Sequence, residues 1–267
     1  MSIRFKRKIT AGIFTLCLFC TAVYASPLKP VKEDKTTTIT VSPTGAEVIA
    51  KYVVALGGKE KLLQVKSIVT KAKLSIPAAG VSGDVSMHQA DKGLFSMLME
   101  IPNVVTQKSG SDGKTIWESS NVTGAEILSG ARAEQMKLQL TMFPSLDITQ
   151  FFETTECKGT EMFAGQSCYV VESKKKGIPT MTTYYSVETG LDKGNRMTVS
   201  TAMGEMKMVS EIKSYGERDG IKFPMEIETT LPNGMKQVMT IEDMQFNTNI
   251  DPNEFKLPED VEQLQPK

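Results

Sequence analysis

Residues 196–213, with the sequence RMTVSTAMGEMKMVSEIK, decide the fold of this chain. Gly204 stands at the first of the two central positions of the MGEM segment, which is the chemistry of a type II′ hairpin turn. A two-residue turn at this place pairs Met197 with Ile212. The apolar side chains then share one face of the predicted hairpin, and the charged ones alternate onto the other face. The apolar face carries Met197, Val199, Thr201, Met203, Met206, Met208, Ser210 and Ile212.

A second hairpin is predicted around Gly234, in a three-residue loop where glycine can adopt the left-handed conformation. This loop pairs Ile227 with Met239 and Thr229 with Gln237. The apolar residues of both strands again fall on one face, which supports the pairing.

The same period-two alternation recurs in roughly eleven or twelve segments, from residue 67 to residue 246. Two stretches have helical spacing instead, at residues 42–56 and 131–143, and a short helical turn follows at residues 59–64. Two helices cannot cover so wide a flat sheet. We therefore expect a mainly β fold with two or three helices, arranged as a curved antiparallel open barrel, or half-barrel, with the helices in its concave face.

The chain begins with the features of a secretory signal peptide: a basic start, a short apolar run and small residues before a cleavage site after Ala25. We expect residues 1–25 to be removed and residues 26–41, which are polar and contain proline, to form a flexible linker. Cys17 and Cys20 lack the small preceding residue that a lipobox requires. The predicted location is the periplasm, with secretion from the cell as the alternative.

Residues 42–258 are predicted to form one β half-barrel domain, and residues 259–267 a polar tail. The full chain has 31 basic and 31 acidic residues, so its net charge is zero. Nucleic-acid-binding proteins usually have an excess of basic residues that attracts the phosphate backbone, and this chain has no such excess. We therefore expect no nucleic-acid partner. We also expect the protein to be a monomer.

Two cysteines remain after the predicted cleavage, Cys157 and Cys168. An even pair in an oxidising compartment favours a disulfide. A hairpin turn at Gly165, however, pairs Cys168 with Glu161 and Cys157 with Glu172, roughly 13 Å apart along the strands. A disulfide needs Cα atoms within about 7 Å, so the sequence leaves the bond open.

Several segments resemble landmarks of bacterial exported proteins with the LolA/LolB lipoprotein-carrier fold. The resemblance extends over about residues 45–258 and rests on YVVALGGKEKL (52–62), DGK (112–114), TGL (189–191), DGIKFP (219–224) and NID (249–251). The family implies an open antiparallel barrel whose concave face is covered by helices and shelters acyl chains. It has no shared catalytic motif.

The sequence offers no convincing catalytic or metal site, and we expect no cofactor and no enzymatic activity. His88 is the only histidine, which excludes a zinc site built from several histidines. Ser111 and Lys114 match the S-x-x-K pattern of penicillin-binding enzymes, but the intervening Asp-Gly predicts a turn rather than a helix start.

The candidate ligand-binding residues are the apolar and methionine side chains that the predicted registers place on one sheet face, with Trp117 and two residues of the second helical stretch. Methionine adapts to varied apolar partners but fills cores equally well. The candidate cavity lining consists of Phe95, Met97, Met99, Trp117, Met136, Leu140, Met181, Tyr185, Met197, Met203, Met206, Met208, Met225 and Met239.

Two functions follow from these readings. The first is a binding or carrier protein for a lipid or for the acyl chain of a lipoprotein in the bacterial envelope. The second is a non-enzymatic interaction module with a filled core, which associates with an envelope protein or a peptidase. The sequence leaves both open.

Overall fold

Thirteen antiparallel strands make up most of the computed structural model, which describes residues 42–201 and 204–265. The predicted signal peptide, the predicted linker and Met203 lie outside the described residues. The strands are β1 (Ser67–Ile76), β2 (Val81–Ala90), β3 (Leu94–Ile101), β4 (Val105–Asp112), β5 (Ile116–Ser120), β6 (Gly124–Ile127), β7 (Thr154–Phe163), β8 (Gln166–Lys175), β9 (Ile178–Ser186), β10 (Asp192–Thr201), β11 (Gly204–Arg218), β12 (Ile221–Thr230) and β13 (Lys236–Phe246).

The strands form one sheet in the order β6-β5-β4-β3-β2-β1-β13-β12-β11-β10-β9-β8-β7. Each strand pairs with its neighbour along the chain, except that β1 pairs with β13 and β6 does not pair with β7. β6 and β7 are therefore the two edges of the sheet, which does not close into a barrel. The predicted fold class, a mainly β open antiparallel half-barrel, is confirmed.

Four α-helices lie in the described part of the chain: α1 (Gly45–Leu56), α2 (Lys59–Gln64), α3 (Gly130–Leu140) and α4 (Glu259–Glu262). None of the described helices is long and apolar enough to cross a membrane. Two short 3-10 segments, Pro144–Gln150 and Pro252–Phe255, follow α3 and precede α4.

Thr44 starts α1 through a capping box with Glu47. The Glu47 amide donates to the Thr44 hydroxyl at 3.2 Å, and the Thr44 amide donates to the Glu47 carboxylate at 2.8 Å. The cap lies two residues after the start of the predicted helical stretch at residue 42. The helix ends at Gly57, where φ is 132° and a Cβ atom would lie 2.3 Å from the carbonyl oxygen of Gly220. Only glycine fits this helix end.

Side chains of directly paired residues lie on the same side of a sheet, so the registers divide the sheet into two faces. We call the inner face the one that carries Phe95, Val85, Ala72, Ile241 and Ile212. Both long helices pack on this inner face. We call the opposite side the outer face.

The hairpin that decides the fold has a different register from the predicted one. Met197 pairs with Met208, not with Ile212, and the pairing reaches Thr201 and Gly204. Gly204 is therefore the first residue of β11 and not the first central residue of a turn. The shift is an even number of residues, so Met197, Met206 and Met208 still share a face.

The second hairpin has the predicted register. Ile227 pairs with Met239, and Thr229 pairs with Gln237. The amide of Gly234, at φ 79°, donates to the carbonyl oxygen of Leu231. The glycine loop and the alternation of apolar residues are both local features, which is why this register is readable from the sequence.

Candidate functional site

The registers bring ten of the predicted cavity residues onto the inner face of the sheet. Met97 and Met99 of β3 lie opposite Met87 and Val85 of β2. In the other half of the sheet, Met197 of β10 lies opposite Met208 of β11. The ten residues are Phe95, Met97, Met99, Met181, Tyr185, Met197, Met206, Met208, Met225 and Met239.

Helix α3 crosses the inner face and contacts both halves of the sheet, β3 in one half and β8 and β10 in the other. Its predicted residues Met136 and Leu140 are buried against Phe95 on β3, with exposed fractions of 7%, 6% and 3%. Toward its other end, Glu134 accepts from Lys175 of β8 at 2.5 Å. The helix therefore connects strands that lie far apart in the sheet order.

Gln135 of α3 completes this connection with two hydrogen bonds to the backbone of β10. Its amide nitrogen donates to the carbonyl oxygen of Thr198 at 2.8 Å, and its amide oxygen accepts from the amide of Ser200 at 3.0 Å. The contact of α3 with β3 is apolar, whereas its contacts with β8 and β10 are polar. Ala133 also packs against the Phe95 cluster, so the polar and apolar contacts alternate along α3 and are not confined to separate ends.

The predicted cavity residues differ in how far they are buried. Phe95 and Tyr185 are buried, Tyr185 against Val48 and Ile49 of α1. The methionines on the strands are half-buried. Met97, Met99, Met225 and Met239 pack against a cluster centred on Ala72, Leu74, Val85, Ile101 and Ile241. The inner face thus combines a packed centre with partly accessible methionines.

Trp117 does not join the other candidates. It pairs with Gly110, whereas its neighbour Ile116 pairs with Ser111 in the row that contains Phe95. Trp117 therefore lies on the outer face, where its indole covers the space that a Gly110 side chain would fill. The expectation that Trp117 lines the same cavity is wrong, because alternation on β5 turns it to the other side.

The C-terminal segment covers this part of the outer face. Helix α4 packs against β5 and β6, and Val261 is fully buried. Ser119, two residues from Trp117 on β5, donates to Asp260 at 2.5 Å. Residues 259–265 are thus folded onto the sheet and are not a free polar tail. One buried valine among acidic residues was too weak a pattern to predict this packing.

The two remaining cysteines are both free thiols. Cys168 pairs with Glu161, as the sequence predicts, but Cys157 pairs with Val171 instead of Glu172. A bulge between Cys157 and Thr160 causes this change and reverses the alternation of β7. The sulfur of Cys157 therefore lies on the inner face and that of Cys168 on the outer face. Burial raises the pKa of the Cys168 thiol, so it stays protonated.

The carboxyl group of Asp192, which is not among the predicted site residues, is buried beneath α1. The Oδ1 atom of Asp192 accepts a hydrogen bond from the amide of Gly194 at 2.6 Å. The hydroxyl of Tyr215 donates to the Asp192 carbonyl oxygen at 2.8 Å, and the rings of Tyr52 and Tyr185 lie 5.2 Å apart beside them. Burial raises the pKa of Asp192 to about 7. In the sequence Asp192 stands next to a turn, which gave no sign of burial.

Two clefts lie away from the methionines. One, of about 660 Å³, lies between the outer face and the C-terminal segment and includes Leu94 and Phe255. The other, of about 440 Å³, lies beside α1 and includes Val54 and Tyr185.

The only histidine, His88, is not part of a metal site: its Nδ1 atom lies 3.4 Å from the carboxylate of Glu254. Within residues 42–201 and 204–265, no three His, Cys, Asp or Glu side chains are grouped to hold a metal ion.

The comparison with solved structures finds proteins of the same architecture. A LolA superfamily protein from Nitrosomonas europaea is 12% identical, with a TM-score of 0.54, and the match covers 81% of this chain and 99% of that chain. A DUF1329 family protein from Desulfovibrio piger is 14% identical, with a TM-score of 0.53 and coverage of 79% and 95%.

A third solved structure is described as a putative outer membrane lipoprotein-sorting protein domain from Vibrio parahaemolyticus. It is 13% identical, with a TM-score of 0.51, and the match covers 79% of this chain and 95% of that chain. No protein-family model matches the sequence, and a search of curated proteins finds no match. Similarity at this level of identity establishes the fold alone, so the chain has a LolA-like fold, as the sequence resemblance indicates.

Proposed function

We propose that this protein is an exported carrier of the bacterial envelope that shelters the acyl chain of a lipid or lipoprotein on its inner face. The observation that carries the proposal is the gathering of ten candidate residues, nearly all of them apolar, on the sheet face that also carries α1 and α3. An apolar concave surface with few polar groups is the usual form of a site for an apolar ligand. The charged side chains of the same strands, such as Lys207 and Glu205, lie on the other face.

The partial exposure of the methionines favours an accessible binding surface rather than a dry, filled core. Met206 and Met208 are half-buried, although they lie on the same face as the fully packed Ile212. Flexible thioether side chains can rearrange around an acyl chain without a fixed shape. Helix α3 would then act as a cover that is held by apolar contacts to β3 and by polar contacts to β8 and β10.

The role is one of binding and not of catalysis. The described side chains provide no nucleophile paired with a base on the inner face. The expected signal peptide directs the protein to the envelope, where lipids and lipoproteins are available. We expect a monomer whose partners are an acyl ligand and an envelope protein that receives it.

A matched pair of variants at adjacent positions tests the proposal. Met208→Glu places a carboxylate on the inner face, and Lys207→Glu places one on the outer face of the same strand. If the inner face binds acyl chains in a partly hydrated cavity, Met208→Glu folds but loses a fluorescent acyl probe. Lys207→Glu should keep both its melting temperature and its affinity for the probe.

The same measurements identify the alternative. In a filled core, a buried unpaired carboxylate costs several kcal/mol, which unfolds a marginally stable domain. A wild-type protein that does not bind the probe, together with a Met208→Glu variant that does not fold, would contradict the carrier and favour the interaction module.

A further inference from the structure

A row of methionines crosses three adjacent strands at one end of the inner face. Met197 of β10 lies directly opposite Met208 of β11. On the other side the pairing of β10 with β9 ends at Arg196 and Thr182, and Met197 and Met181 are the residues next to this last pair. Directly opposite residues in an antiparallel pair have Cα atoms about 4.5–5.5 Å apart. Three thioether side chains therefore start within reach of a common point above Met197.

A fourth methionine belongs to this group. Met206 lies two residues before Met208 on the same face and opposite Val199. Two positions along a strand correspond to about 7 Å, which three rotatable side-chain bonds can bridge. We call Met181, Met197, Met206 and Met208 the methionine quartet.

The methionine quartet differs from the other inner-face methionines in its packing. Met97 and Met239 pack against the buried cluster around Ala72 and Ile241. None of the four packs against a buried apolar cluster in residues 42–201 and 204–265. All four are half-buried, so their sulfur atoms can rearrange without opening a cavity in the core.

The strand residues beside the quartet on the inner face are uncharged. The residues next along the strands on the same face are Thr183, Asn195 and Ser210, which pair in one row. Arg196 and Lys207 belong to the alternate positions, and Arg196 pairs with Glu161 on the outer face at 3.2 Å. On α3, above these strands, the carboxylate of Glu134 is already paired with Lys175 of β8 at 2.5 Å, so the sulfurs are the uncharged ligands that the site offers.

We propose that the methionine quartet binds a soft monovalent metal ion, Cu(I), through its thioether sulfurs. Thioethers are soft donors that select Cu(I), whereas oxygen and imidazole ligands suit harder ions and zinc. Because the thioether sulfurs are uncharged, three or four of them can bind a monovalent cation without any charged protein ligand losing its hydration. This inference does not depend on an acyl ligand.

The thioether site has a characteristic pH behaviour. Methionine has no proton to lose, so its affinity for Cu(I) should not change between about pH 5.5 and pH 7.5. A cysteine or histidine site would bind more tightly as the pH rises, because those ligands must first lose a proton. The pH profile therefore separates the quartet from Cys157 and from His88.

The test measures Cu(I) affinity of the full chain without oxygen, by competition with bicinchoninate. Cys17→Ser and Cys20→Ser are introduced into every sample, so that thiols of the leader do not contribute. Silver(I) with native mass spectrometry provides the stoichiometry. We expect one ion per chain, no retention of Zn(II), and an affinity that is constant over the stated pH range.

The variants compare two pairs of inner-face methionines. Met197→Leu with Met208→Leu removes two members of the quartet at nearly conserved volume and should weaken Cu(I) binding by about tenfold or more. Met97→Leu with Met99→Leu is the matched control and should leave binding unchanged. Circular dichroism confirms folding, and the single variant Met181→Leu should give a smaller loss if the double variant does not fold.

Three results would overturn the proposal. The first is a wild-type chain that does not retain Cu(I) or Ag(I). The second is equal affinity in the wild type and a folded quartet variant. The third is an affinity that rises tenfold per pH unit, which would assign the ion to a thiolate or an imidazole.

Discussion

Replacing Asp192 with Asn should change how the stability of the protein depends on pH. The carboxyl of Asp192, the first residue of β10, lies beside the tyrosines Tyr52, Tyr185 and Tyr215, and its pKa is raised to about 7 from an ordinary value of 3.8. Burial is the largest cause, and the hydrogen bond from Gly194 and the charge of the adjacent lysine oppose it only in part. Asn keeps the shape of the side chain and an oxygen that can accept from the Gly194 amide.

The magnitude follows from the interval between the two pKa values. The folded protein holds the Asp192 proton up to about pH 7, whereas the unfolded chain releases it near pH 4. Between these values the folded state binds more protons, so the free energy of unfolding falls as the pH rises. Each pH unit corresponds to about 1.4 kcal/mol, which gives at most about 4 kcal/mol over the window. Above about pH 7 the contribution stays constant.

The assay is urea unfolding of the wild type and Asp192→Asn at several values from pH 4 to pH 8. The difference between the two proteins cancels the other titrating groups. The variant should gain stability relative to the wild type as the pH rises. Asp251→Asn is the control: Asp251 accepts from the Asn253 amide, which lowers its pKa, so its loss should destabilise above about pH 4. A difference between wild type and Asp192→Asn that is flat from pH 4 to pH 8 would refute the reasoning.

Three further predictions concern the outer face and the strands. Deleting residues 259–267 uncovers the outer face above Trp117, the only tryptophan, so its emission should shift to longer wavelength; an unchanged spectrum would contradict the packing of α4. A thiol assay of denatured, non-reduced protein should find both Cys157 and Cys168 free, whereas a mass two units lower, with the two thiols absent, would indicate a disulfide. Gly83→Ala should reduce the free energy of unfolding by about 1–3 kcal/mol, because its Cβ would lie 2.1 Å from a carbonyl oxygen of β3; equal urea midpoints would disprove this close contact.

The sequence predicts those parts of the fold that depend on local signals. Alternation along the strands and the glycine loop at Gly234 predict the register of β12 with β13, which the structure confirms. The faces of Met197 and Met208 are also readable, because a register error of an even number of residues leaves alternation unchanged.

The sequence-based predictions are wrong where contacts with distant segments, or a single inserted residue in a strand, determine which face a side chain occupies or whether it is buried. The bulge after Cys157 changes the face of one sulfur, and alternation that ignores a bulge cannot show this. Trp117 and Val261 contact elements far away in the sequence, and the burial of Asp192 depends on α1 and three strands. Such contacts are set by tertiary packing, which a local pattern does not record.

The most direct test of the carrier is native mass spectrometry of the protein after its export by the cell, followed by extraction and identification of any bound molecule. The account predicts a folded species that is heavier than the chain by the mass of one acyl-containing amphiphile, which organic solvent releases. Loss of this added mass in Met208→Glu, and its retention in Lys207→Glu, would place the ligand on the inner face. A wild-type protein that has only the mass of its chain and takes up no acyl lipid when mixed with one would contradict the central claim.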